Sequence, residues 1–515
     1  MDNEKHRIGE FLNVTGMGRG SFFSSADAVR PAVCDKAGRK NVFARRLGLL
    51  FLLCLLGGQV AACTPFAAPD RPGDPIPMPG SYSLLEAMSE PPQQWWRSFN
   101  DPVLDALVED ALRDNSDLET FRARLEKARA LARRAGSERF PAVDGEAAAA
   151  HSRVRSERGS GSDTVTGEDY SLGVFAGYEV DLWGRVKASI QGADRAAAAS
   201  REDLHAAAVT VAAEAARRWI GIIARQREIL LLRQQLETNR IYLELVELRF
   251  QKSLASALDV MQQRQLVERV QALIPLAELQ VQLFRGELAV LTGRLPHELP
   301  VFEARELPVI DNQPEAGLPA DLLENRPDIR AGLHRLEEAD QNLVVARADR
   351  LPALRLTGAA AFGSSELERL FDNWLANLAA GLTAPLFDGG GLAAAEDFAA
   401  ADVREQLALY RRTVLTAVRE VEDSLAREAK IREHIRWTER QLQAANSALA
   451  EARFRYVNGL NDYLPVLTQL LSVQNLEIDL IARREDLLAA RIDLYRAVGG
   501  SWPEELLSLA TDERP

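Results

Sequence analysis

No proline occurs between Pro141 and Pro275, nor between Pro385 and Pro465, and within each interval one helical pattern runs almost unbroken. From Gly184 to Lys252, Leu204, Ala208, Val211, Ala215, Trp219, Ile222, Ile229, Leu232, Leu236, Leu243, Val246 and Phe250 keep a three-then-four spacing that averages about 3.5, broken at Gln226 and Asn239. That spacing belongs to a coiled-coil seam rather than to a globular helix face. As a single helix the segment would reach about 100 Å, ~three times the width of a small domain. The rhythm restarts between Gly391 and Asn458 at Val403, Leu407, Tyr410, Val414, Val418, Val421 and Leu425. A chain with two such rods is built to span a distance.

The second rod belongs to a second copy of one plan. Arg139-Phe140-Pro141-Ala142-Val143 returns 211 positions on as Arg350-Leu351-Pro352-Ala353-Leu354, and Asn115-Ser116-Asp117-Leu118 returns at the same shift as Arg326-Pro327-Asp328-Ile329. Arg249-Phe250 returns 206 positions on as Arg455-Tyr456, and Leu291-Thr292-Gly293 as Ala497-Val498-Gly499. Solenoid periods are far shorter, so this is a duplicated domain-sized unit. The first repeat is expected over 103–300, with a hairpin at 143–183, a long helix at 184–252 and a return helix at 258–293; a linker follows at 301–320. The second is expected over 321–502, with a hairpin at 354–388, a long helix at 391–458 and a return helix at 464–499, leaving 503–515 as a tail. Each return helix is about half a rod. The helices leading into the strands, Asp114 to Arg139 and Pro327 to Arg350, have the length to stack on the return helices and complete a wall of even height.

The strands alternate. Tyr170, Leu172, Val174, Ala176, Tyr178, Val180 and Leu182 are apolar, and apart from Phe175 the residues between them are polar or small. A weaker partner near Val143 to His151 is separated from this strand by a Gly/Ser/Thr-rich segment, Ser156 to Gly167, expected to form a loop; Leu354 to Gly363 and Trp374 to Phe387 repeat the arrangement around Ser364 to Leu370. A soluble sandwich would show the same alternation. Four strands cannot close a membrane barrel, for which about eight is the minimum, and lipid does not tolerate open edges. A spanning barrel would have to be shared among subunits.

The amino terminus reads as an address. Behind Arg45 and Arg46, Leu47 to Leu56 form an apolar core of signal-peptide length, short for a transmembrane helix. Alone it could be an inner-membrane anchor, but Val60-Ala61-Ala62-Cys63 follows and resembles a bacterial lipobox. That resemblance implies removal of 1–62 and acylation of Cys63, with Thr64, rather than an inner-membrane retention aspartate, as the next residue. More than one acyl chain is what stable anchoring requires. The segment before Arg45 is longer than an ordinary leader, as if translation begins further on. Residues 63–102 then read as a lipidated tether, rich in proline up to Pro92. The whole chain carries 62 Lys/Arg against 75 Asp/Glu, and removing 1–62 (9 against 5) leaves 53 against 70, a balance with no broad basic face for phosphates. Of Cys34, Cys54 and Cys63 only the last would remain, excluding an internal disulfide.

Taken in order, Cys63, the duplicated unit, Tyr178-Glu179-Val180-Asp181-Leu182-Trp183-Gly184, Arg326-Pro327-Asp328-Ile329-Arg330, Ala384-Pro385-Leu386-Phe387-Asp388-Gly389-Gly390, Tyr456-Val457-Asn458-Gly459-Leu460 and Val498-Gly499-Gly500-Ser501-Trp502 resemble the TolC-type outer membrane factors, in their lipoprotein branch. The resemblance implies a mainly α fold with membrane β. A homotrimer would form a twelve-stranded β-barrel, four strands per chain, continuous with a twelve-helix coiled-coil α-barrel. It implies an outer membrane location with the helices in the periplasm. The function implied is the passive exit duct of a tripartite, RND-type efflux system, with a periplasmic adaptor and an inner-membrane pump as partners and no cofactor beyond the lipid on Cys63. The family constriction falls on Leu464 and Thr468; the family's aspartate is replaced at Thr468, removing a charged ring while leaving a leucine that could gate by dewetting or simply pack between helices. Adaptor contact falls on the rod tips, Lys252, Ser253, Arg455, Asn458 and Gly459. Gly459 suits a helix end, Ser253 stands in its place in the first repeat at a conformational cost, and Ser256 with Asp259 can cap the first return helix.

An enzyme is not expected: the six histidines show no ligand spacing and no nucleophile–base pairing emerges, while Glu420 and Glu422 read as solvated or salt-bridged. Two other readings stay open, a type I secretion outlet and, in a different class, a non-conducting coiled-coil lipoprotein that spans the periplasm.

Overall fold

The computed structural model describes residues 66, 77–83, 94–158, 161–303, 305–310 and 317–500. All of these belong to the unit running from Thr64 to Pro515; the leader, Cys63 and the tail at 503–515 lie outside the described residues. A 3-10 turn, Trp95–Phe99, opens the chain, followed by α1 (Pro102–Asp114) and α2 (Ser116–Gly136). The lead-in expected as one helix from Asp114 therefore begins after a break at Asn115, whose side chain accepts from the amides of Asp117 (3.0 Å) and Leu118 (3.1 Å) and restarts the helix. The first repeat continues with β1 (Ala142–Arg158), β2 (Gly161–Val180), α3 (Arg185–Gln251) and α4 (Ala257–Leu291). In the second come a short turn of helix at Leu322–Asn325, α5 (Pro327–Ala348), β3 (Ala353–Ser364), β4 (Trp374–Thr383), α6 (Gly391–Val457) and α7 (Leu464–Ala497).

Two strand expectations are corrected. The segment expected as a loop from Ser156 to Gly167 is largely strand: β1 and β2 stay paired out to Arg158 opposite Gly161. Thr164, Val165 and Thr166 are β-branched and favour the pleat over the loop that the surrounding Gly and Ser suggest. The strand expected to run to Phe387 stops at Thr383, just before Pro385, which has no amide proton to give a ladder.

The strands form one antiparallel sheet in the order β1-β2-β3-β4. Register settles which residues share a face. Leu172, Val174, Ala176, Tyr178 and Val180 of β2 lie opposite Phe362, Ala360, Gly358, Leu356 and Leu354 of β3. These in turn lie opposite Trp374, Ala376, Leu378, Ala380 and Leu382 of β4. That face is apolar from edge to edge, yet none of the described residues covers it: Trp374 is 73% and Leu378 84% exposed. The other face carries Asp144, Glu146, Ser171, Glu179, Arg355, Thr357 and Asn377 among alanines and glycines, with Val154, Val165, Phe175 and Leu375 as its large apolar members. Beyond the pairing of Tyr170 with Ser364, β2 keeps only β1 as neighbour, so the β1–β2 hairpin stands clear of β3 and β4.

Each long helix is flanked by two shorter ones set end to end, as the lengths require. Where α4 meets α2, the Asn115 amide donates to the Leu291 carbonyl (3.0 Å), and a Cβ on Gly293 (φ 68°) would lie 2.4 Å from the Asp114 carbonyl oxygen. Where α7 meets α5, Arg326 donates to the Ala497 carbonyl (2.7 Å), and a Cβ on Gly499 (φ 93°) would lie 2.8 Å from the Asn325 carbonyl oxygen. Only glycine allows both the left-handed backbone and so close an approach. The largest apolar core sits at the first of these levels, where Trp95, Trp96, Phe99 and α1 pack on Trp219, Ile222 and Ile223 of α3. Trp95 stacks on Tyr495 of α7 at 5.5 Å, and the Trp219 indole donates to Asp101 (2.7 Å). The tryptophan pair therefore ties the entering chain to both repeats.

Candidate functional site: the helix tips and the channel wall

Both tip turns use one device. Ser253 and Leu254 donate to the carbonyls of Phe250 and Arg249 (both 2.8 Å); Gly459 and Leu460 donate to those of Tyr456 (3.1 Å) and Arg455 (2.8 Å). This pair of bonds closes the last turn of a helix and demands a left-handed residue, here Ser253 (φ 59°) and Gly459 (φ 70°). For serine that conformation costs roughly 1–2 kcal/mol. Ser256 and Asp259 then form a reciprocal capping box (2.8 and 3.1 Å), while Pro465 occupies the first turn of α7. The expected contact residues, Lys252, Ser253, Arg455, Asn458 and Gly459, are brought together at this end and are all exposed.

Leu464 and Thr468 lie one turn apart on an exposed face of α7, Leu464 being 57% exposed and Thr468 donating to its carbonyl (2.8 Å). Within the chain Leu464 is not sandwiched between helices. Phe250, assigned to the apolar seam, is likewise turned outward at 47% exposure. Its counterpart Tyr456 is buried, with the Arg249 guanidinium 4.4 Å over its ring.

Above the tips runs a ladder of buried polar side chains that the seam pattern marks only by its break at Asn239. Tyr463 donates to Gln263 (2.7 Å), Gln263 to the Asn239 carbonyl (2.8 Å), and Asn239 and Gln474 exchange bonds at 3.3 and 3.1 Å. Gln235 extends it to the Gln474 carbonyl (3.2 Å) and to Glu477 (2.9 Å). Burial pushes the Tyr463 phenol well above its ordinary pKa, so it remains a donor. Buried amides paired across helices in a coiled coil fix register, since any slip breaks those bonds; in this ladder the Gln235 Oε1 has no partner among the described residues.

Higher on the wall, Glu202 is fully buried and accepts from Arg330 (2.8 Å), with Arg201 and His205 beside it. Burial works against its charge, but the bonds and charges of these neighbours outweigh it and hold the carboxyl below the ordinary range. Glu420 and Glu422 are both engaged, by Arg326 (2.9 Å) and by the Ser83 amide (2.8 Å). Among the described residues no group of three or more His, Cys, Asp and Glu is placed to hold a metal, and no helix is long and apolar enough to cross a membrane. The surface suited to lipid is the apolar face of the sheet.

Comparison with known proteins agrees with this geometry. The family model described as outer membrane efflux protein matches residues 107–294 and 318–500. The pyoverdine export outer membrane protein OpmQ of Pseudomonas putida is 32% identical over 87% of this chain and 97% of its own. Among solved structures, the outer-membrane channel OprN superposes with a TM-score of 0.80 at 28% identity, over 85% of this chain and 100% of its own. The outer membrane protein VceC of Vibrio cholerae superposes with a TM-score of 0.75 at 27% identity, over 80% and 100%. The chain belongs to the outer membrane efflux protein family, and it is an outer membrane channel of that family.

Proposed function

We propose that this chain is the exit duct of a tripartite, RND-type efflux assembly, passing small molecules from the periplasm and an inner-membrane pump to the exterior, and that it does so as a homotrimer without catalysis. The observation that carries this reading is the sheet: among the described residues it has four strands, two unpaired edges at β1 and β4, and one apolar face without cover. In lipid such edges must be paired. Three copies give twelve strands, with β4 of one against β1 of the next, and turn the polar face with Asp144 and Glu146 toward a water-filled bore.

The internal repeat supports the same closure among the helices. Within the chain, Gly192 of α3 packs on α5, where a Cβ would lie 3.5 Å from Gln341 and 3.4 Å from Asn342. The equivalent position on α6, 206 residues on, is Phe398, and the equivalents of Gln341 and Asn342, 211 residues back, are Ala130 and Leu131. Phe398 is 76% and Leu131 51% exposed, as expected of side chains that meet across two copies. Likewise Trp183 donates to the Pro352 carbonyl (2.7 Å), while Phe140, beside the equivalent Pro141, is bare.

In this reading the lipid sits on Cys63 and anchors each copy. Lys252, Ser253, Arg455, Asn458 and Gly459 meet the adaptor, and Leu464, with Thr468 a turn inward, forms the closed ring at the tip. Reconstitution in a planar bilayer tests it: small unitary currents are expected, rising with Leu464→Gly. Absence of current in both proteins rejects the duct, and a monomer in sedimentation, with no disulfide between Phe398→Cys and Leu131→Cys copies, rejects the trimer.

A further inference from the structure

Below the tryptophan core, residues 305–310 cross from α3 to α6 above α7. This strap is pinned along its length: Gln226 donates to the Phe302 carbonyl (2.8 Å), Arg227 pairs with Glu306 (2.8 Å), and Arg432 of α6 donates to the Ile310 carbonyl (2.8 Å). Held from both long helices, it cannot settle onto α7, and a groove of about 1110 Å³ remains beneath it. It is lined by Leu480, Ile481 and Leu488 of α7, Leu230 of α3, Ile435 of α6 and Leu307 of the strap. The groove follows α7 from Glu477 to Leu488, about 17 Å at helical rise. That makes it longer than a compact cofactor needs, and its volume slightly exceeds the usual range for small-ligand sites.

Part of the charge at the rim is paired: Arg227 with Glu306 and Arg484 with Glu439 (3.0 Å). Arg432 shares the Glu428 carboxylate (2.9 Å) with Arg491 and so keeps cationic character, while Glu477, which accepts from the neutral Gln235 amide (2.9 Å), keeps its negative charge. Arg436, exposed at the rim, makes no ion pair among the described residues. A long trough with leucines and isoleucines inside it and guanidinium groups in excess of carboxylates along its rim is complementary to a long apolar body with one anionic head. A carboxylate fits an arginine fork through two parallel hydrogen bonds.

We propose that this groove is a binding site for a long-chain fatty-acid anion, its chain laid along α7 and its carboxylate on Arg436. The site lies within one chain and stands whether or not three copies close a barrel. Occupancy would wedge α3, α6 and α7 at a fixed separation, giving the ligand a hold on the helices that lead to the tips. The test uses the full-length protein in phosphatidylcholine nanodiscs, photolabelled with a diazirine palmitate and mapped by peptide mass spectrometry. Label is expected in peptides covering 430–442 and 477–488, displaced by unlabelled palmitate, and reduced at least about tenfold by Arg436→Glu. Ile481→Arg, which fills the trough, should remove it; sedimentation and circular dichroism establish that this variant is folded. Label confined to strand peptides, label indifferent to Arg436→Glu, or equal labelling by the uncharged alcohol analogue would each overturn the assignment.

Discussion

The two repeats build the same helix crossing from different chemistry. In the first, Ile222 of α3 is fully buried, Gly221 leaves room for the Phe284 ring, which a Cβ there would meet at 2.9 Å, and Arg285 turns aside to donate to the Leu299 carbonyl (2.8 Å). In the second, 206 positions on, Gly221 becomes Arg427, Ile222 becomes Glu428, Phe284 becomes Ala490 and Arg285 becomes Arg491. Glu428 and Arg491, with side chains 2% exposed, are joined at 2.7 and 2.9 Å, and Arg432 adds a third partner. Burial disfavours the Arg491 charge, but the bonds to Glu428 outweigh it and hold the guanidinium above its ordinary pKa. A shape-fitted crossing gains from apolar burial. An ionic one gains little net stability, because desolvation offsets the attraction, but it penalises any register that separates the charges. Identical backbones can therefore be held by volume on one side of the chain and by charge on the other.

The largest expected effect comes from breaking the ionic crossing on one side only. Arg491→Met leaves the buried Glu428 with Arg432 alone and should lower unfolding stability by about 3 kcal/mol, whereas the double variant Glu428→Ile/Arg491→Met, which replaces both buried charges with apolar groups, should recover most of it in thermal or denaturant melts. Next is the shape-fitted crossing: Gly221→Ala should cost about 1–3 kcal/mol by overpacking, and a smaller ring partner, Phe284→Leu, should relieve it. If both double variants behave as independent sums, the crossings are not coupled units and the comparison fails. At the tips, where the repeats differ by serine against glycine, Ser253→Gly should stabilise by about 1 kcal/mol and Gly459→Ser should destabilise by a similar amount. Acid supplies a smaller effect. Because the Glu202 carboxyl is held below its ordinary pKa, its contribution is complete above the unfolded value and is lost as pH falls through the folded one. A Glu202→Gln variant should therefore show a shallower loss of melting temperature on acidification than the parent.

Much of the architecture was legible because period is a property of the chain itself. The 3.5 spacing requires the rods, Gly184 and Gly390 stand at their starts, and alternation at Leu172, Val174 and Tyr178 gives the apolar face without any partner in view. The extent of β1 and β2 was not legible, because Ser156 to Gly167 has turn composition and only the pairing partner decides between loop and strand. The amide ladder was marked only as a fault in the pattern at Asn239; its completion by Gln263, Gln474 and Tyr463 depends on which helices lie alongside. Nor could sequence place Glu428 against Arg491, 63 positions apart, since nothing local distinguishes that glutamate from its solvated neighbours. The strap over α7 is a property of three-dimensional crossing alone.

The unequal strands have a consequence for what meets the cell from outside. Residues 161–169 of β2 continue with β1 after β3 has ended, a projection of about 30 Å at strand rise. In the proposed trimer these hairpins would stand as three slender two-stranded fingers around a lower parapet. If the proposed duct opens on that side to the exterior, an antibody or a phage tail arriving at the cell surface would touch the fingers well before it could reach the mouth they surround.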